Sequence, residues 1–374
     1  MCIRDRYNRA TMLIINGAYG EGGGQILRTA LSLATILSQP VRIENIRAGR
    51  KNPGLAAQHL TAVRAAAIIC EARLTGDKLE STCLTFEPQA PPIAGLYEFD
   101  VAEARAGGSA GAVSLVLQTI LLPLSLADDP SIVTIRGGTH VPWSPSFHYV
   151  RDVYLPMLAR LGINADVELK GWGWYPAGGG EIELTISGSG DKQPALSGGV
   201  TGPGSSRGEL KQVKGVAVAS SLPAHIAQRM RDRAGNLLAQ AGLPASVEPQ
   251  RVRSTSPGAG IFLTAEYESS LAGFTALGKK GKPAERVAEE AVNDLLAFHR
   301  CGATLDRHLT DQLILPLISA GFTGTDININ GGDGGAVILL DKGLFVRKTA
   351  VFFIIGLCQG NSGFSGVLGT DTPQ

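Results

Sequence analysis

The stretches VRIENIRAG (Val41–Gly49) and SIVTIRGG (Ser131–Gly138) decide the fold of this sequence. Each alternates apolar and polar residues, as a half-buried strand does, and each runs into a glycine-containing loop. Aligned at IRAG and IRGG, they bring their flanking elements into register with a period of roughly 90 residues. Before the first lie an extended run, Leu13–Asn16, a Gly-rich turn and a helical pattern carried by Ile26, Leu27, Ala30, Leu31, Leu33 and Ala34. After it come the loop RAGRKNPG, a helix from about Leu55 to Cys70 and strands near Ala72–Thr75 and Cys83–Glu87. Around the second stretch the order recurs. YEFDV, GGSAG and a helix through Leu115, Leu117, Leu121 and Leu124 precede it; the loop THVPWSP, a helix over Phe147–Leu161 and the strands NADVELK and EIELTI follow. The reading is an α/β (α+β) chain built on a duplicated βαβαββ module.

Past Ser187 the sequence SGSGDKQPALSGGVTGPGSSRGE is poor in apolar residues and rich in Gly, Ser and Pro, as a linker is. It leads into VKGVAVASS, a helix over His225–Ala241 and ASVEPQ, a smaller α/β unit expected to be inserted at residues 187–257. GIFLTAEYES is expected to resume the large domain, which then comprises residues 12–186 and 258–321. The helical patterns PAERVAEEAVNDLLAFHR and HLTDQLILPLISAG open an incomplete third copy of the module. Residues 1–11 precede the first apolar run and are expected to be a spurious extension or a disordered tail, without function in either case.

A length of 374 residues suggests two or three units, and 44% hydrophobic with 18% charged residues is a globular composition. The net charge of +1 supplies no whole-protein field for nucleic acid, so any phosphate contact must come from local Arg and Lys. The five cysteines, Cys2, Cys70, Cys83, Cys301 and Cys358, form no CxxC pair, which points to a reduced chain without structural zinc. Neither a transmembrane run nor the apolar core of a signal peptide is found, so a cytoplasmic location away from membranes is expected.

Three stretches carry chemistry. GEGGGQILR (Gly20–Arg28) sets a Gly-rich turn at a helix start, where free N–H groups and the positive end of the dipole favour an anion. Arg28, one turn in, offers a bidentate contact to phosphate. Taken alone, such a turn is more often a plain βα connection, and the lysine of a Walker A motif is missing. RAGRKNPGLAAQH (Arg47–His59) adds Arg47, Arg50 and Lys51, with Gln58 and His59 on the helix behind; its plainer reading is a solvated basic loop. GGSAG (Gly107–Gly111) matches the G-x-S-x-G nucleophile elbow in form, with Ser109 as the nucleophile, but VAEARA before it is not a buried strand. A second helix-start anion site fits better, with Gln118 on the helix that follows. YPAGGGE (Tyr175–Glu181) reads as a hairpin turn and LGKKGKP (Leu277–Pro283) as a basic turn. HLTDQL (His308–Leu313) places His308 and Asp311 one helical turn apart, helix capping by Asp311 being the plainer alternative.

GEGGGQILRTALSL, RAGR followed by PGL and QHL, SLVLQT, YPAGGG, LGKKG and HLTDQL resemble, in order and approximate spacing, the RNA 3'-terminal phosphate cyclases, over about Leu13 to Gly321. The resemblance implies repeated βαβαββ units with a smaller inserted domain. It also implies a reaction in which ATP adenylates an enzyme histidine, AMP passes to the 3'-terminal phosphate of an RNA, and the adjacent 2'-OH closes a 2',3'-cyclic phosphate. A divalent metal, Mg or Mn, would neutralise the triphosphate. By the same resemblance Gln118, His308, Leu309, Thr310, Asp311 and Gln312 match ATP-binding positions. Glu21, Arg28, Arg47, Arg50, Gln58 and His59 match polar residues of the active-site cleft that meets the RNA phosphate.

One departure stands out. The family's nucleophilic histidine lies on a strand roughly 20 residues beyond the DQL helix, where this chain reads FTGTDININGGDGGAVILL, and no histidine follows His308. Residues 322–374 thus form a divergent segment, and no catalytic nucleophile is assigned. A shifted reading frame explains this, as does a non-catalytic, RNA-binding relative akin to the cyclase-like proteins of ribosome biogenesis. A third alternative, a different enzyme on a related repeated fold such as the enolpyruvyl transferases, is opposed by the DQL and QHL motifs. The sequence leaves the oligomeric state open.

Overall fold

The computed structural model describes residues 11–19, 23–104, 109–190 and 207–319. Strands β1 (Leu13–Asn16), β2 (Val41–Glu44), β3 (Arg73–Thr75) and β4 (Leu84–Glu87) form a sheet of order β1-β2-β4-β3. The first joint is parallel and the other two are antiparallel. Along β2 and β4 every second side chain is buried, which the alternation in VRIE and LTFE dictates. Helices α1 (Gly24–Leu37) and α2 (Ala57–Ile68) cover this sheet. Ile26, Leu27 and Leu31 of α1 and Leu60 and Val63 of α2 share a core with Ile15, Val41, Ile43, Leu84 and Phe86.

Strands β5 (Leu96–Asp100), β6 (Ser131–Gly137), β7 (Ala165–Gly171) and β8 (Gly180–Ile186) repeat the pattern in the order β5-β6-β8-β7, again parallel, antiparallel, antiparallel. The α/β architecture of repeated modules expected from the sequence is the one observed. Helix α3 (Val113–Ser125) packs against both α1 and α2. A helix as apolar all round as VSLVLQTILLPLS has no face to give to water, and every residue of α3 except Gln118 is buried. The helix predicted over Phe147–Leu161 is α4 (Phe147–Tyr149), a π-helical turn (Val150–Tyr154) and α5 (Leu155–Ala159). Pro156 has no N–H to bond a carbonyl four residues back, and the turn before it is accordingly widened.

A third sheet departs from the expectation. β9 (Leu210–Ser220), β10 (Ala245–Val252), β11 (Gly258–Tyr267) and β12 (Leu271–Leu277) associate in the order β10-β9-β11-β12, covered by α6 (Ala224–Gln240) and α7 (Ala284–Cys301). Val213, Met230, Leu238, Ile261, Leu263, Val292 and Leu295 form its own core. The smaller unit therefore does not end at residue 257. The bound expected at residue 257 falls in the turn between β10 and β11, and β11 pairs along its length with β9. α8 (Arg307–Ser319) returns to the second module, where Leu309, Leu313, Ile314 and Leu317 join the core of Leu117, Leu121 and Val153. At about 1.5–3 kcal/mol for each buried aliphatic side chain, these four residues fix α8 to that module. The strands that would complete a third copy lie outside the described residues.

An aromatic cluster joins the second module to the third sheet. His140 stacks on Trp172 at 4.6 Å and Trp174 at 5.0 Å, His148 stacks on Phe262 of β11 at 4.4 Å, and His140 Nε2 lies 3.0 Å from His148 Nδ1. Among the described residues no helix is long and apolar enough to cross a membrane.

Candidate anion-binding site

The N-terminus of α1 begins at two glycines. Gly23 occupies the cap position with no side chain to satisfy the first N–H groups, and the first turn holds no acidic residue. Among the described residues no acidic side chain of the first turn offsets the positive end of this helix. A Cβ on Gly24 would stand 2.3 Å from His59 Nε2 and 3.1 Å from Arg28 Nη1; one on Gly23 would stand 3.2 Å from Arg50 Nη2. The glycines are required because these three side chains crowd the helix end.

His59, at the start of α2, is buried, and its Nδ1 accepts the backbone N–H of Ala56 at 3.2 Å. The neutral ring therefore carries its proton on Nε2, the atom that faces Gly24. Burial first, and then Arg28 and Arg47, lower its pKa to about 3, so His59 is a neutral donor. Arg47 holds a left-handed backbone (φ 54), which is costly for any residue with a Cβ, while its Nη1 donates to the Gly54 carbonyl at 2.7 Å. Burial and then the neighbouring Arg50 lower its pKa. Its counterpart in the second module, Arg136, lies instead within β6 and pairs with Glu98 at 2.9 Å and Glu181 at 2.6 Å.

Gln58 extends the site to α3. Its side-chain carbonyl accepts the N–H of Ala112 at 3.1 Å, and Ala112, which precedes α3, offers no side-chain cap. The first turn of α3 also lacks acidic residues. Gly138 holds the same point from β6, accepting from Val113 N and donating to Gly111 O at 3.0 and 2.8 Å. The YPAGGG turn lies against it as well, since a Cβ on Gly178 would be 3.0 Å from Ala110 Cα. Ser109 Oγ accepts the N–H of Gly111 within this loop, and the last described element before it is a 3-10 turn (Val101–Ala104), residues 105–108 of the GGSAG stretch and its approach lying outside the described residues.

The HLTDQL residues divide by burial. Leu309 and Thr310 are buried, and Thr310 Oγ1 donates to the Asp306 carbonyl; His308 and Asp311 are exposed. Gln312 Nε2 donates to His308 O at 3.0 Å, while its Oε1 is buried without a partner. The cap of α8 is Asp306, not Asp311. Asp306 Oδ1 accepts from His308 N and Leu309 N, both at 2.9 Å, and its carboxylate also accepts Tyr149 Oη at 2.9 Å and Gly273 N at 3.1 Å. Burial, and then the Asp306 carboxylate, push the Tyr149 phenol well above its ordinary range, so it remains a donor. An Asp two residues ahead of an apolar helical run was the available signal for this cap. Gln118, five residues into α3 and about 7.5 Å along its axis from Val113, sits on the helix that links both groups. Glu21 and the window 322–340 lie outside the described residues. Among those described, no three His, Cys, Asp or Glu side chains gather as a metal would need.

Helix starts at glycines, clustered arginines and a neutral histidine donor are thus carried on an α/β fold of repeated modules. The chain belongs to the RNA 3'-terminal phosphate cyclase family, whose model matches residues 19–331. A relative of that name from Gloeothece citriformis is 56% identical over 309 residues, covering 83% of this chain and 86% of its own. One from Methylococcus capsulatus is 57% identical over 306 residues (82% and 83%). One from Ignicoccus hospitalis is 41% identical over 349 residues (91% and 92%).

Proposed function

We propose that the cleft binds ATP and the 3'-phosphorylated end of an RNA, the substrates of an ATP-dependent conversion of that phosphate to a 2',3'-cyclic phosphodiester. The observation that carries this reading is the gathering of Arg28, Arg50 and the His59 Nε2–H at the start of α1, with Arg47 beside His59 and Gln58 bonding the residue before α3. All are donors or cations, and a terminal phosphate offers more charge to them than an internal one. The orphaned Gln312 Oε1 is an acceptor suited to an N–H donor such as an adenine amine, so His308–Gln312 and Gln118 would hold the nucleotide. ATP, when bound, supplies the adenylyl group that activates the phosphate. The described residues do not assemble ligands for the divalent metal, Mg or Mn, that the family resemblance implies, and no step is assigned to it. A cytoplasmic setting belongs to the same proposal, in keeping with the free thiols of Cys70, Cys83 and Cys301.

Titrating a 3'-phosphorylated oligoribonucleotide and its 3'-OH counterpart at one salt concentration tests the site. One charge-assisted contact implies roughly tenfold preference for the phosphate, and Arg47→Ala should abolish much of it. Equal affinities in the parent chain would overturn the assignment.

The absence of any histidine after His308 favours a second reading, a binding protein that does not adenylate itself. A phosphoramidate needs a free imidazole nitrogen, and in His59 Nδ1 is engaged while Nε2 is protonated. ATP labelled in the α-phosphate should leave this chain unlabelled; acid-labile label on any histidine would refute that.

A further inference from the structure

We infer that Trp143 and Tyr175 form a stacking platform for the unpaired bases that precede an RNA's 3' end. The inference rests on the RNA reading above and extends it from the terminal phosphate to the strand behind it. Trp143 is 98% exposed and Tyr175 70% exposed, although each neighbours a residue that is buried or nearly so, Val141 at 6% and Trp174 at 3%. Trp143 is also held at φ 60, a left-handed backbone that a residue with a Cβ rarely adopts. No packing among the described residues repays that conformation, since the side chain is almost wholly exposed.

The two rings lie on loops fixed to each other and to the anion site. His140, three residues before Trp143, makes a parallel bridge with Trp174, the residue before Tyr175. Val141 shares a small core with Ala112 and Leu115 at the start of α3. The Tyr175 turn presses on the same point through Gly178 and Ala110. Both aromatics thus flank the N-terminus that Gln58 ties to the arginine cluster.

Cations border them on the third unit. Ala177 N donates to Ser256 Oγ at 3.1 Å, which fastens the Tyr175 turn to the loop carrying the exposed Arg253. Gly258 backs onto the Trp174 ring, and Gly278 N donates to Ala259 O at 2.8 Å, which brings the exposed Lys279 and Lys280 to the same edge. Exposed rings beside cations suit single-stranded nucleic acid: every base has a face to stack, and each stacked base contributes enough to matter without sequence readout. A blunt duplex hides those faces, so the partner is a single-stranded 3' end.

The full-length chain is titrated with a short single-stranded RNA ending in 3'-phosphate, the same strand ending in 3'-OH, and a blunt duplex of that strand. Trp143→Ala should weaken both single strands by on the order of tenfold while leaving their ratio unchanged, and Trp143→Phe should restore most of the loss. Tyr175→Ala should act in the same direction, and the duplex should bind the parent no better than the single strands bind Trp143→Ala. If both alanine variants bind single strands as the parent does while the phosphate preference persists, the platform is refuted and the phosphate site stands. Equal affinity for the two ends together with a loss on Trp143→Ala would support the platform and sink the phosphate assignment. A parent chain that binds no RNA, or that prefers the duplex, overturns the inference.

Discussion

The side-chain carbonyl of Gln58 accepts the backbone N–H of Ala112 across 54 residues of chain, and so sets the start of α3 beside the start of α2. Ala112 is buried, and without this bond its N–H would have no acceptor. Gln58→Leu should cost about 1–3 kcal/mol in denaturant midpoints. Gln58→Glu keeps an acceptor and should fold nearly as well, yet it introduces a negative charge where an anion binds. The expected split is a stable Glu variant with weakened affinity for 3'-phosphorylated RNA; undiminished affinity would separate Gln58 from the site.

Gly24 and Gly235 should respond oppositely to alanine. At Gly24 the new methyl meets the buried His59 ring, which cannot yield, so Gly24→Ala should lose about 1–3 kcal/mol and displace the Nε2–H from the site. Gly235 lies within α6 with open space around it, and Gly235→Ala should gain about 0.5–1 kcal/mol. Thermal unfolding of the pair, with RNA titration of each, measures both effects.

Acid should destabilise the fold well above the range in which most carboxylates titrate. Burial is the first cause that lowers His59 and His148 to about 3, and it lowers His140 too. In the unfolded chain these rings take up protons as pH falls through about 6.5, while the folded His59 and His148 remain neutral until about 3 and His140 also stays neutral well below its ordinary range. Stability present above pH 6.5 is therefore lost progressively toward pH 3, by about 1.4 kcal/mol per unit for each histidine. Urea midpoints between pH 7.5 and 5 should fall, and His59→Gln should flatten the slope.

Asp306 and Asp311 should separate stability from nucleotide binding. Asp306→Ala strips acceptors from Tyr149, Gly273 and the first turn of α8, and should cost at least about 2 kcal/mol. Asp311 is exposed, so Asp311→Ala should barely move the unfolding midpoint while weakening ATP measurably. Isothermal titration beside unfolding curves distinguishes them; a large stability loss at Asp311 would show that its role is structural.

The two modules were legible because strand alternation and glycine loops repeat at a fixed offset, and local pattern is what a sequence displays. The extent of the smaller unit was not. STSPG has the composition of a linker, and only the hydrogen bonds between β11 and β9, remote in the chain, reveal it as an internal turn. Within the site, the arginines and His59 could be found by residue type and proximity to glycine. Asp306 was passed over because capping depends on which carboxylate reaches back to the N–H groups, and Asp311 lay in the more conspicuous motif. Trp143 looked like part of an ordinary loop, since neither its exposure nor its positive φ is written in VPWSP.

Arg47 and Arg136 align at one position of the repeat, yet one donates to the Gly54 carbonyl in a loop and the other is spent between two glutamates on a sheet. Duplication here produced a division of labour, not redundancy. A chimera carrying two copies of the first module would double the guanidinium turn and lose the clamp across the second sheet. The halves have become non-interchangeable, and each has made the other indispensable.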